Sequence, residues 1–285
     1  MPVPEVVRRL LPAGRRWRKL LAGLTLDPDA LSSPLAPPGA RDFLVCGSPR
    51  TGTALLAAAL WQPPEVICVM EPWDTMRLVP AELFASLRAE IATGTLRRGR
   101  LDVAALLADG SVRWVRDGEQ VVAVATTGDW SLGVKLPAFW RYLDRLPDTR
   151  FVVCVRAPEE VVASYRSTPG RLRAGLEYDT PFNRALNDEL LAATDDPARR
   201  RIELYDRVNE AIIPHLGRAN VHVVRYERWF ADREGQLRDL GAFLGVDLSG
   251  ARVRIASPTS SPLPPAELDL LRRTCRTAAA LGYEL

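Results

Sequence analysis

Histidine is scarce in this chain of 285 residues, with two: His215 and His222. The first sits at the end of a helical stretch and the second inside a short strand, so both read as structural. There are four cysteines, Cys46, Cys68, Cys154 and Cys275, and no two have metal-ligand spacing. No resident metal is therefore expected. Three of the cysteines lie in the apolar runs FLVC, VICVM and FVVCV, which read as buried strands. They are expected to be inert core thiols of a reducing, cytoplasmic compartment. No apolar run is long enough to span a membrane, and the N-terminus lacks a signal-peptide core and cleavage pattern. An excess of one charge is also missing: 38 Lys+Arg against 35 Asp+Glu gives +3. That balance argues against nucleic-acid binding and leaves room for a local basic site.

Hydrophobic residues make up 47% of the chain and charged residues 26%, enough for a sizeable core. The basic stretch VVRRLLPAGRRWRKLLAGL places Leu and Trp at loosely helical spacing, interrupted by Pro12 and Gly14. It reads as a helix packed on the domain, with peripheral membrane contact through residues 1–25 as the other reading. Residues 27–40 are rich in Pro, Ser and Ala and read as a linker. The expected organisation is a basic segment and linker over 1–40, then a single domain over 41–285.

From Asp42 onward strands and helices alternate. Strands are expected at 43–46, 65–70, 151–155 and 221–224, with 120–126 as a strand or edge hairpin. Helices are expected at 53–61, 81–93, 101–109, 158–167, 181–193, 198–216, 235–245 and 264–281. Short apolar strands alternating with helices predict an α/β fold, a parallel sheet covered by helices on both faces. Ligands of such sheets bind beyond the carboxyl ends of the strands.

The first such end reads Cys46-Gly47-Ser48-Pro49-Arg50-Thr51-Gly52-Thr53. Two glycines permit close backbone approach, and the N–H groups entering the next helix form an anion cradle. Thr51 and Thr53 add hydroxyls and Arg50 a permanent charge. Gly47 and Gly52 fit the spacing of the P-loop, G-x-x-x-x-G-K-[ST], but Thr53 stands where that motif has Lys. A nucleotide or small-molecule kinase needs the Lys at its phosphates, so its absence counts against that alternative. The third expected strand ends at Arg156; Pro158 then opens a helix at a favoured position, and Ser164 lies about two turns on. Arg156 and Ser164 are placed to converge on one phosphate.

Pro49-Arg50-Thr51-Gly52-Thr53 resembles the 5′-phosphosulfate loop of sulfotransferases that use 3′-phosphoadenosine 5′-phosphosulfate (PAPS). The Arg is similar to that of tyrosylprotein and many bacterial members. FVVCVRAPEEVVASY resembles the family's 3′-phosphate segment, with Arg156 and Ser164 matching and Ala157 in place of the usual Asp. VVRYERWF resembles the Tyr-Glu stretch, which implies Tyr226 near the adenine. IASPTSSPL resembles a loop closing on the phosphates, which implies roles for Ser257, Thr259 and Ser260. The resemblance runs from about Phe43 to Pro262. It implies the family's P-loop-like fold, PAPS as donor and PAP as product, held by Arg50, Thr51, Gly52, Thr53, Ala54, Arg156, Ser164 and Tyr226.

Sulfuryl transfer to a hydroxyl needs a base for the nucleophile and cations for the leaving phosphate. Arg50 stabilises charge and does not shuttle protons. Glu71 ends the second strand, and the resemblance implies that a Glu at its offset from Arg50 is the general base; Asp74 is the other candidate. Lys135, in LGVKLPAFW, resembles the family's Lys-x-Pro element at the leaving oxygens. Trp73, Asp74, Tyr178 and Phe182 are expected around a small-molecule, carbohydrate or lipid-type acceptor. A non-catalytic PAPS-binding module is a further rival.

Overall fold

The computed structural model describes residues 35–97, 99, 121–168, 170–178, 180–251 and 261–285. The basic stretch over 1–25, the helix expected at 101–109, and Ser257, Thr259 and Ser260 lie outside them.

The four apolar runs form strands in one parallel sheet: β1 (Asp42–Gly47), β2 (Val66–Met70), β6 (Arg150–Val155) and β7 (Val221–Arg225). A fifth member, β5 (Ser131–Lys135), was not expected as a strand, and it inserts between β2 and β1. Gly133 hides it, since glycine in a strand interior reads as a break. Gly133 lies across from Phe43 of β1, and a Cβ there would come within 2.3 Å of the Phe43 ring. The missing side chain makes room for an aromatic on the neighbouring strand. The order across the sheet is β2-β5-β1-β6-β7. The segment expected over 120–126 contributes β4 (Val121–Ala123), which pairs antiparallel with β3 (Thr95–Arg97) in a separate ribbon.

Side chains alternate across the sheet with period two, and two apolar cores result. Leu44, Cys46, Val153 and Val155 face one layer, with α2 (Pro80–Ala92), α3 (Pro158–Ser167), α5 (Pro197–Ile212) and α8 (Pro265–Thr274). Phe43, Val45, Val152 and Cys154 face the other, with α1 (Thr53–Ala59) and α7 (Arg233–Leu244). The helix expected over 181–193 becomes a 3-10 turn followed by α4 (Arg184–Ala193). A short α6 (Arg228–Ala231) follows β7.

The helix expected over 264–281 stops at Thr274. Buried Asp206 of α5 accepts the N–H groups of Arg276, at 3.1 Å, and Thr277, also at 3.1 Å. Those donors belong to the carboxylate and are lost to a helical ladder. The three strand cysteines are buried free thiols, and burial pushes the Cys154 thiol up to about 12.

Candidate active site

Each strand of the sheet delivers one polar or aromatic group at its carboxyl end. Read across the sheet, the order is Glu71 after β2, Lys135 ending β5, Arg50 after β1, Arg156 after β6 and Tyr226 after β7. Neighbouring strands lie about 4.8 Å apart, so the row is roughly 19 Å long. Chain order scrambles this sequence, because β5 inserts on one side of β1 and β6 on the other.

At one end of the row, Lys135 donates to Glu71 Oε1 at 2.5 Å, and both side chains are buried. Glu71 N–H also donates to the Lys135 carbonyl at 2.8 Å, which locks the two strand ends together. Among the described residues, Glu71 (φ 48°) and Arg50 (φ 70°) are the non-glycine residues at positive φ. Such conformations cost on the order of 1–3 kcal/mol each and collect at functional sites. Here both fall in the row.

In the middle, the β1–α1 loop is tied down by its own polar side chains. Thr51 Oγ1 donates to the Ser48 carbonyl at 2.7 Å, and Ser48 Oγ lies 2.7 Å from the Tyr165 hydroxyl on α3. Gly52, at φ 95°, is the N-cap of α1 and provides no side-chain cap. The first-turn N–H groups are thus left for an outside acceptor. A Cβ on Gly52 would come within 2.6 Å of the Tyr226 ring, so the close approach requires glycine. Thr51 and Thr53 are buried in this loop.

The other end joins to this loop. Arg50 Nε donates to Ser164 Oγ at 2.9 Å, and Arg156 Nη1 donates to the Arg50 carbonyl at 3.1 Å. The Arg156 guanidinium lies 3.9 Å from the Tyr226 ring centroid, and its Nε donates to Glu160 at 2.7 Å. Arg50, Gly52, Arg156, Ser164 and Tyr226 therefore form one contiguous cluster, in which the Ser164 hydroxyl is joined to Arg50 and Arg156 to the Arg50 carbonyl. Ala54 is half-buried on the first turn of α1.

Asp74, in the 3-10 turn Trp73–Met76, is ion-paired with Arg77 and lies 3.6 Å from Arg97. It is engaged with these two cations, whereas Glu71 is paired with Lys135. Trp73 is half-buried and Tyr178 exposed. Phe182 is buried in the core, edge-on to Tyr142 at 6.3 Å, as a packing residue. His215 lies 3.3 Å from Asp144, and His222 stacks on Phe243.

Glu177 was not foreseen, because no motif surrounds it in GLEYDT. It is buried, and its backbone is held by Asn187, through bonds at 2.8 and 3.2 Å, and by Arg171 at 2.9 Å. Burial raises its carboxyl from 4.5 to about 7, against the pull of the Tyr178 N–H and Arg141. The charges of Glu71 and Lys135 are felt there as well. A carboxyl raised on folding stabilises below its unfolded value and loses that contribution as pH climbs through the folded value. The shift corresponds to about 3 kcal/mol. Glu177→Gln is expected to match the unsubstituted protein in thermal unfolding at pH 4.5 and to exceed it at pH 8, the gap opening between. A gap that does not vary with pH would refute this assignment of the burial cost.

Comparison with known proteins places this row of residues among relatives. The family model described as "Sulfotransferase family" matches residues 42–250, which include the row from Arg50 to Tyr226. The nodulation protein NoeE of Sinorhizobium fredii (strain NBRC 101917 / NGR234) is 31% identical over 227 residues, covering 73% of this chain. The chain spans about half the length of that relative, 51%. Among solved structures, the sulfotransferase domain from the curacin biosynthetic pathway is 17% identical, with a TM-score of 0.46 over 89% of this chain and 100% of that one. A sulfotransferase from Alicyclobacillus acidocaldarius is 17% identical, with a TM-score of 0.45 over 88% and 98%. A mouse sulfotransferase complexed with PAP is 15% identical, with a TM-score of 0.38 over 93% and 72%. The match to the family model covers the parallel sheet from β1 to β7 with every strand-end residue of the row, and the chain belongs to the sulfotransferase family.

Proposed function

We propose that the chain transfers a sulfuryl group from PAPS to a hydroxyl of a small-molecule, carbohydrate or lipid-type acceptor. The observation that carries this reading is the order of groups along the sheet edge. A carboxylate and an ammonium are followed by an anion cradle with Arg50, then by a second cation, then by an aromatic ring. A nucleotide phosphorylated at both 3′ and 5′ positions matches that order from cradle to ring. A ligand with phosphates at one end alone would leave Arg156 or the cradle idle.

The residues fit the donor. The Gly52 cradle with Thr51, Thr53 and Ala54 would hold the 5′-phosphosulfate, and Arg156 with Ser164 the 3′-phosphate. Tyr226, already lying against Gly52 and Arg156, would meet the adenine. When bound, PAPS supplies an activated sulfuryl group whose sulfur–oxygen bond to the phosphate breaks as the acceptor oxygen bonds to sulfur. Glu71 takes the proton from the acceptor hydroxyl. Lys135, buried, and Arg50, exposed, neutralise the charge that collects on the released phosphate. The bond between Lys135 and Glu71 holds the two side chains next to each other until substrates separate them. Trp73 and Tyr178 line the approach for the acceptor. A magnesium-dependent kinase is disfavoured by Thr53, which supplies no cation at the P-loop Lys position.

Binding separates the two. Calorimetry without magnesium is expected to show PAP bound far more tightly than ATP, and incubation with labelled PAPS and cell extracts to yield a sulfated product identifiable by mass. Magnesium-dependent ATP binding with no affinity for PAP would overturn the reading.

A further inference from the structure

The peptide unit joining Arg156 to Ala157 is held at both of its polar atoms. Its carbonyl accepts the buried Tyr205 hydroxyl at 3.1 Å. Its N–H donates to Glu227 Oε1 at 2.7 Å, across 70 residues of chain. Ala157 is the N-cap of α3 and has no side chain able to cap, so the carboxylate that orders this helix start comes from elsewhere in the fold. Glu227 Oε2 is satisfied in turn by the Tyr283 hydroxyl at 3.0 Å.

Tyr283 is itself anchored. Its N–H donates to the Ala278 carbonyl at 3.0 Å, and the Arg225 guanidinium lies 5.4 Å from its ring. The chain before it is tied to Asp206 through Arg276 and Thr277. Two consecutive residues after β7 thus grip two consecutive residues after β6. Tyr226 lies against the Arg156 guanidinium, and Glu227 holds the next peptide N–H.

We infer that Glu227, braced by Tyr283, is a positioning residue that fixes the Arg156 backbone and thereby sets affinity for the 3′-phosphate end of the donor. The inference rests on the proposed role of Arg156. A peptide plane released at one end can rotate, and that rotation moves the Cα–Cβ direction of Arg156. A guanidinium aimed at phosphate loses its paired bonds with small angular errors. Among the described residues Glu227 makes no side-chain bond to the cradle after β1, whose tie to this segment is the single Arg156 Nη1 bond to the Arg50 carbonyl.

The test measures binding of PAP and of adenosine 5′-phosphate, which lacks the 3′-phosphate, to four proteins. Glu227→Ala is expected to weaken PAP about tenfold and to leave adenosine 5′-phosphate within about twofold. Glu227→Gln keeps an oxygen acceptor for the Ala157 N–H and is expected to stay close to the unsubstituted protein. Tyr283→Phe is expected to weaken PAP by about threefold, and it carries the test if Glu227→Ala does not fold. In turnover assays the change is expected in KM for PAPS, with kcat at saturating donor little altered. Equal weakening of both nucleotides, or unchanged PAP affinity in Glu227→Ala and Tyr283→Phe, overturns the inference. If the unsubstituted protein binds PAP no better than adenosine 5′-phosphate, the reading of Arg156 itself falls, and this inference with it.

Discussion

Glu71→Gln is expected to lower turnover by about 100-fold or more while leaving affinity for PAP within about twofold. Glutamine is isosteric and keeps an oxygen for Lys135 but accepts no proton. The substitution has a second consequence, because the Glu71–Lys135 pair is buried and 2.5 Å long. Removing one partner leaves an uncompensated ammonium, at a cost of about 3–5 kcal/mol. Loss of activity alone could therefore report partial unfolding. A double-mutant cycle separates the two effects. Lys135→Met alone leaves the carboxylate stranded, whereas Glu71→Gln with Lys135→Met removes both charges together. The double variant is expected to recover most of the thermal stability that each single variant loses, and none of the activity. A double variant that regains turnover along with stability would refute the assignment of both residues to the chemistry.

Arg50→Gly is expected to lower kcat by about 100- to 1,000-fold while raising thermal stability. Arg50 adopts φ 70°, a region that costs a non-glycine residue of order 1–3 kcal/mol and costs glycine little. Its carbonyl, which receives Arg156 Nη1 at 3.1 Å, survives the substitution. The side chain's bond at 2.9 Å to Ser164 is lost, but Arg50 is exposed, so no buried charge is orphaned. Arg50→Ala removes the same charge and keeps the strain, so it is expected to be as inactive as Arg50→Gly and less stable. Arg50→Lys restores a cation without the planar fork and is expected to recover part of the rate. Wild-type turnover in Arg50→Gly would refute the role of Arg50. Equal stability of the Gly and Ala variants would show that the strain is relieved elsewhere.

The loop from Cys46 to Thr53 was legible because its chemistry is local. Glycines, hydroxyls and a cation must follow a buried strand within a few residues to make an anion cradle. The strand end at Arg156 and the helix that carries Ser164 were legible for the same reason, while their common link to Arg50 was not. β5 was not legible, because Gly133 breaks the apolar pattern and the Phe43 ring that requires it lies 90 residues away. Glu177 lies in no motif, and the Tyr-Glu resemblance that contains Glu227 implied a role for Tyr226 alone: the burial of the first and the reach of the second to Ala157 depend on residues remote in sequence. Phe182, expected at the acceptor, instead packs on Tyr142, because an aromatic residue between helices is drawn to the core by its apolar area.

The amino-acid sequence by itself determined the α/β class and carried, at two strand ends, the motifs on which the family resemblance rests. Each depends on hydrophobic period or on residue types within one turn of one another. The pairing of Glu71 with Lys135, the order of five strand ends into one row, and the grip of Glu227 and Tyr283 on Ala157 were decided only by tertiary structure. These contacts join residues 56 to 70 positions apart, and no local preference encodes them. They come from the parallel crossovers that carry each strand past its neighbours and align the carboxyl ends along one edge.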